Sequence, residues 1–309
     1  MTRTTTTTHP TMKLATFALT AVICCTSSAF AAAPGTPAAA KPTTTGRAAI
    51  KGVTYYYEIR GKGEPLLLLH GGLMSTDMFG PAMPVLSKGR QVIAVDLQGH
   101  GRTTLGTRTI RCEAIADDVD ALLQQLGRAQ VDVMGYSFGG CVAMRLAIQH
   151  PERVRRLVVV SAPFADDGWY ADMRVQQKAV GAAMAPMMAE TPMYKTYKAV
   201  APKPDDFPRL LDAMGEYMRF KYDWAADVAK LKMPVMLVFG DADMVRPEHA
   251  IKFYQLLGGG LKDAGWNRES MSKNRLAILP DLTHYEAFAT SRVAETALPF
   301  LNGEYSATK

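Results

Sequence analysis

The chain of 309 residues has only four cysteines, and two of them, Cys24 and Cys25, sit in an apolar stretch near its start. That leaves Cys112 and Cys141, one pair at most, so no disulfide framework holds the fold. Cys141 falls in a first helical turn where small buried residues are expected, which favours a free buried thiol. No dense Lys/Arg run with interleaved aromatics is present, which argues against a nucleic-acid footprint. The formal charge of +6 is read as solubility, and it falls to +4 without residues 1–31, which carry Arg3 and Lys13 and no acid. Asp117, Asp118 and Asp120 form a carboxylate cluster, but no His or Cys ligand stands nearby. Ile115, Val119, Leu122 and Leu126 share one face of a helix running from about Cys112 to Leu126, ended by Gly127, which puts these acids mostly on its solvated side. What is present in quantity, 48% apolar and 21% charged residues, is ordinary for a globular chain.

The N-terminus reads as an address. Met12-Lys13, the apolar Leu14 to Cys25, and a small-x-small site at Ala29-Phe30-Ala31 make the three parts of a cleavable secretory signal over residues 1–31. The Thr-rich Met1 to Thr11 is atypical of such a signal, so translation is expected to start at Met12. The apolar run is too short to persist as a membrane span, so the expected location is secreted or periplasmic. Residues 32–47, rich in Pro, Ala and Thr, have little to bury and are expected to form a flexible tether.

The most informative ten residues are Val131 to Gly140, Val-Asp-Val-Met-Gly-Tyr-Ser-Phe-Gly-Gly. A β-branched apolar run stops at Gly135, and a helical pattern starts at Gly139, leaving Ser137 on the turn. This is Gly-x-Ser-x-Gly in its strand-turn-helix setting. Around it, Ala48 to Arg60 reads as a hairpin about Lys51-Gly52. Leu66–Leu69, Gln91–Val95, Leu157–Val160, Val235–Phe239 and Leu276–Leu279 read as strands. Between about 163 and 230 such strands vanish, and seven of the chain's 18 methionines appear among aromatics and prolines.

On these motifs the chain resembles the α/β-hydrolase family over about residues 48 to 302. The resemblance implies an α/β fold: a mostly parallel eight-stranded sheet flanked by helices, spanning 48–303, with a helical cap inserted at about 163–230 and a short tail, 304–309. It also implies roles. Ser137 is the expected nucleophile and His284, in Pro280-Asp281-Leu282-Thr283-His284-Tyr285, the expected base. The acid is expected three residues after Gly240, at Asp243, ahead of its competitor Asp241. Ser, Asp and His then stand in the family's chain order. The oxyanion hole is assigned to the backbone N–H of Phe138 and that of Gly72 or Leu73, in the loop His70-Gly71-Gly72-Leu73. His70 is expected to be a buried post for that loop, and Asp96 a cap for backbone amides. His100, His150 and His249 are given no catalytic part, with His150 and His249 expected at the surface. One departure stands out: acid and histidine are 41 positions apart, and the excess falls in Gly258 to Asn274.

The implied chemistry is hydrolysis of a carboxylic ester or related acyl compound through an acyl-enzyme, with no metal and no organic cofactor. A small apolar ester is the expected partner, with the cap's methionines and aromatics lining its pocket. Serine at 137 argues against the dehalogenase and epoxide-hydrolase branches, which place aspartate there. Perhydrolysis, C–C bond hydrolysis and acyl transfer share the same residues and stay open. So does a secreted binding protein on this scaffold, although such proteins commonly lose part of the set. Oligomeric state and acyl chain length are not encoded legibly.

Overall fold

Lys51 and Gly52 both take positive φ, 45° and 83°, the handedness that joins two right-twisted strands without splaying them. Across this turn β1 (Thr44–Ile50) pairs antiparallel with β2 (Val53–Arg60). The first residues of β1, Thr44 to Arg47, belong by composition to the tether; pairing with Tyr56 to Ile59 satisfies their backbone. The structure, a computed structural model, describes residues 44–305. The expected signal, the rest of the tether and the end of the tail lie outside the described residues.

After the hairpin come β3 (Glu64–Leu69), β4 (Arg90–Val95), β5 (Val131–Tyr136), β6 (Val154–Val160), β7 (Val235–Ala242) and β8 (Arg275–Thr283). They join one eight-stranded sheet of order β1-β2-β4-β3-β5-β6-β7-β8, parallel from β4 to β8. Between and after them run α1 (Met83–Ser87), α2 (Cys112–Gln125), α3 (Phe138–Gln149), α4 (Ala171–Lys178), α5 (Ala185–Met188), α6 (Pro192–Val200), α7 (Phe207–Arg219), α8 (Ala225–Val228), α9 (Pro247–Leu256) and α10 (Arg292–Leu301). The run Leu66 to Leu69 is apolar at every position because both faces of the sheet are covered. Leu67 and Leu69 pack with Ile115 and Val119 of α2, Val142 and Leu146 of α3 and Phe253 of α9. Leu66 and Leu68 point the other way, toward Leu86 of α1 and Val293 and Ala297 of α10.

Between β6 and β7 the chain forms helices α4 to α8, the expected insertion. Its two feet are tied together: Asp166 N–H donates to Tyr222 O (3.0 Å) and Trp224 N–H to Phe164 O (3.0 Å). Met188 and Met214 are buried, while Met184, Met193 and Met218 pack half-buried against the same core. The long connection Gly258 to Asn274 enters the N-terminal end of β8, away from Ser137. Asn274 closes it, accepting from Val235 N–H (2.8 Å) and donating to Leu257 O (2.6 Å). Trp266, at its tip, is 99% exposed. Among the described residues no helix is long and apolar enough to cross a membrane.

The acids on α2 depart from expectation. Asp118 and Asp120 are buried, because α2 is covered on a second side by the hairpin and by two arginines. Asp118 accepts from Tyr55 Oη (2.6 Å) and pairs with Arg108, and Asp120 pairs with Arg153 at 2.7 Å. Asp117 alone stays at the rim, bonded to His150.

A second buried pair lies at the N-terminal end of the sheet. Asp132, fully enclosed in β5, binds Arg155 through two bonds of 2.9 Å and contacts the buried Arg90. Asp132→Ala would strand the Arg90 guanidinium away from water, so a loss of about 3–5 kcal/mol is expected. Urea unfolding checks it; a loss under about 1 kcal/mol would show that the guanidinium finds water there.

Candidate active site

At the C-terminal end of β5 the backbone turns straight into α3. Ser137 takes φ 52° and ψ −117°, a region that an L-residue occupies only under constraint. The constraint comes from both sides: its N–H donates to Val160 O (2.9 Å), and its carbonyl accepts the first helical bond, from Cys141 N–H (3.0 Å). A Cβ at Gly135 would stand 2.2 Å from Gly139 O, and one at Gly139 would stand 2.4 Å from Leu69 O. Both neighbours are backbone and cannot yield, so the motif's glycines are there for space.

β7 and β8 deliver the other two groups. Asp243 follows β7, and its Oδ1 lies 2.9 Å from His284 Nδ1; His284 Nε2 lies 3.1 Å from Ser137 Oγ. A carboxylate only accepts, so Nδ1 carries the proton and Nε2 faces the serine as an acceptor. Asp243 is further held by Val245 N–H (3.1 Å, on Oδ1) and by Gly240 N–H (3.3 Å) and Ser161 Oγ (2.5 Å), both on Oδ2. Burial alone would push this carboxyl up. The bond and charge of His284, with the donors from Ser161 and Val245, bring it below the usual carboxylate value. Asp241 is exposed and turns to Leu282 N–H (3.2 Å). The structure therefore brings Asp243, and not Asp241, to the imidazole.

Tyr136 secures the histidine from below. Its hydroxyl donates to His284 O at 2.6 Å, and its ring fills the space that a Cβ on Gly71 would need. The loop expected to supply an oxyanion amide follows β3. His70 is fully buried, Nδ1 bonded to Gly71 O (2.7 Å) and Nε2 accepting from Leu97 N–H (2.9 Å). Burial pushes its imidazole down to about 4, so it is a neutral post, as expected. Leu73 takes φ 57°, and Gly72 lies close enough that a Cβ there would sit 3.9 Å from Phe138 Cβ and 3.1 Å from Met214 Cε. Phe138 is the first residue of α3, where an amide has no intrahelical acceptor and the helix dipole is positive. The amides of Gly72 and Leu73 both remain candidates beside that of Phe138.

The remaining polar residues of these loops are structural. Asp96 accepts from Thr76 N–H (2.7 Å) and Arg102 N–H (2.8 Å). His100 is buried beside Phe138 with Nδ1 on Gln98 O (2.8 Å), and burial drives it down to about 3. His249 departs from the surface position expected for it. It stacks on Phe164 at 4.0 Å, accepts from Phe164 N–H (3.2 Å) and is buried where the first foot of the cap folds over α9. Cys112 and Cys141 are free and buried.

Around the triad the walls are apolar. The Trp169 ring meets His284 edge-on at 5.8 Å, and Phe138 meets Tyr217 of α7 at 4.9 Å. Trp169 bridges to Val245, and Tyr170 N–H donates to Met244 O (3.3 Å), so the start of the cap is stitched to the loop that carries Asp243. Two residues around the triad, Ser161 and Tyr136, escaped the sequence reading, whereas Trp169 is one of the cap aromatics expected around the pocket. Ser161 and Tyr136 share one signal, a polar side chain at the C-terminal end of an otherwise apolar buried strand.

Residues 64–184 match the sequence model described as "alpha/beta hydrolase fold". Over 106 residues the chain is 39% identical to 2-hydroxymuconate semialdehyde hydrolase of Pseudomonas sp. (strain CF600), a match covering 33% of this chain and 38% of that protein. The alignment thus spans well under half of the relative's length. Among solved structures, an enol-lactonase from Burkholderia xenovorans LB400 superposes with a TM-score of 0.62 at 20% identity, over 83% of this chain and all of that one. A carboxylesterase from Bacillus subtilis gives 0.62 at 20% identity, over 84% and 92%. Such identities speak for the fold alone. With the sheet order, the strand-turn-helix at Ser137 and the sequence match over residues 64–184 converging, the chain has the α/β-hydrolase fold.

Proposed function

We propose that the protein is a serine hydrolase that cleaves carboxylic esters or related acyl compounds through an acyl-enzyme. The observation that carries this reading is the unbroken chain Ser137 Oγ, His284, Asp243, with links of 3.1 and 2.9 Å. A serine hydroxyl is a poor nucleophile at neutral pH. His284 Nε2 takes its proton as Oγ attacks the acyl carbon, and Asp243 holds the tautomer and stabilises the imidazolium. The developing oxyanion is met by Phe138 N–H and by Gly72 or Leu73 N–H, each such donor contributing on the order of a hundredfold in rate. His284 returns the proton to the leaving alcohol, then activates the water that releases the acid. The apolar side chains beside the triad, Trp169, Phe138 and Tyr217, suit an uncharged acyl or alcohol group.

A second reading is C–C bond hydrolysis, favoured by the likeness to the semialdehyde hydrolase. One assay separates the two: p-nitrophenyl esters from C2 to C12 against a vinylogous 1,5-diketone acid, with a peroxide arm to expose perhydrolysis. Turnover is expected on the esters, highest at a short or medium chain. Turnover of the diketone acid alone would overturn the ester reading. Export is part of the proposal, and N-terminal sequencing of the extracellular protein is expected to begin after Ala31; a start upstream of Ala29 would contradict it.

A further inference from the structure

Ser161 follows the last residue of β6 and is 1% exposed. Its backbone sits at φ 51°, where glycine rests without strain and an L-residue does not. Its N–H donates to Val238 O at 2.9 Å, which fixes the residue to β7. A glycine would serve that backbone better, so what serine adds here is its hydroxyl. That hydroxyl lies 2.5 Å from Asp243 Oδ2. The scheme of nucleophile, base and acid makes no use of it.

Asp243 spends Oδ1 on His284 Nδ1 (2.9 Å) and Val245 N–H (3.1 Å). Oδ2 has Ser161 and a longer bond from Gly240 N–H (3.3 Å). Without Ser161 Oγ, a side chain that is 1% exposed keeps only the longer bond on that oxygen, and water has little access to replace the donor. We propose that Ser161 is a positioning residue of the active site, clamping Asp243 Oδ2 so that Oδ1 stays on the imidazole that activates Ser137. This rests on the reading of Ser137, His284 and Asp243 as a catalytic set.

The consequence reads out in pH. The titratable groups facing Asp243 are His284, from the turn after β8, and Tyr136 of β5, which in turn faces Tyr285. Burial pushes the Tyr136 phenol up, so it stays neutral over the working range. The carboxylate that has lost a donor keeps its charge concentrated, takes up a proton more readily and grips the imidazolium more tightly. Both effects move the acidic limb of Ser137 reactivity to higher pH.

The test is the rate of fluorophosphonate labelling of the full protein from pH 5 to 9, in the wild type, Ser161→Ala, Ser161→Gly and Ser137→Ala. Labelling needs no knowledge of the natural substrate. Ser161→Ala and Ser161→Gly are expected to label about tenfold more slowly, with the acidic limb raised by roughly half a pH unit. Glycine relieves the backbone, so its variant separates loss of the hydroxyl from loss of fold. A folded Ser161→Gly protein with the wild-type rate and an unmoved limb overturns the proposal. So does a Ser161→Gly protein that fails to fold, since the serine would then be structural. Wild-type labelling of Ser137→Ala would instead overturn the catalytic reading beneath it.

Discussion

Ser137→Ala is expected to abolish fluorophosphonate labelling and to lower kcat/KM on any ester that the wild type turns over by on the order of 10⁴-fold or more. The size follows from what is removed. Ser137 Oγ lies 3.1 Å from His284 Nε2, and alanine would leave the proposed base with nothing to deprotonate but water. The fold should not notice. Alanine adopts the same φ of 52° with the same strain, and the bonds that enforce it, Ser137 N–H to Val160 O and Cys141 N–H to Ser137 O, are backbone. Thermal unfolding is therefore expected within a degree or two of wild type, while any residual rate would report the proposed oxyanion donors together with substrate binding. Retained ester turnover would sink the mechanism. Labelling of the wild type without turnover of any acyl substrate would move the protein toward a narrow substrate or a binding role.

What the sequence disclosed about this site was local. The Lys51-Gly52 turn, the apolar run Leu66 to Leu69 and the strand-turn-helix around Ser137 are each specified within about ten residues, by backbone sterics and by burial of both sheet faces. Their structure matches the pattern closely. Asp243 and His284 were legible only by position in a motif. The packing that explains them comes from elsewhere: Ser161 is 82 residues from Asp243, and Tyr136 is 148 residues from the carbonyl it holds. No periodicity encodes such a pairing. The same reason hid the burial of Asp118, Asp120 and His249, where a helix face that looks solvated in isolation is covered by a distant arginine or by the foot of the cap. The cap itself was legible as an absence of strands, and its five helices fill that interval.

Asp243→Asn and Asp241→Asn are expected to part company by three to four orders of magnitude. An asparagine at 243 keeps the volume, but with its oxygen left on Ser161 Oγ and Gly240 N–H its amide nitrogen takes the place of Oδ1, giving up the bond from Val245 N–H and placing a donor against His284 Nδ1. That favours the tautomer with the proton on Nε2, facing Ser137 Oγ, and a serine cannot give its proton to a nitrogen that already has one. A loss of about 10⁴ in kcat near neutral pH is the expected scale for this error, with KM little changed because Asp243 lies behind the imidazole and not in the acyl pocket. Stability should shift too. The carboxyl of Asp243 is held below its ordinary value, so it stabilises the fold above the usual carboxylate pKa of about 4. That contribution is lost as pH falls through the lowered native value. The asparagine protein should therefore be less stable than wild type at pH 7 and lose less on acidification, which urea midpoints at pH 7 and at pH 3 would reveal. Asp241→Asn keeps an acceptor for Leu282 N–H at an exposed position, and its rate should stay within about threefold of wild type, as surface changes usually do. Equal losses from the two variants, or a larger loss from Asp241→Asn, would remove Asp243 from the role that its 2.9 Å contact with His284 gives it.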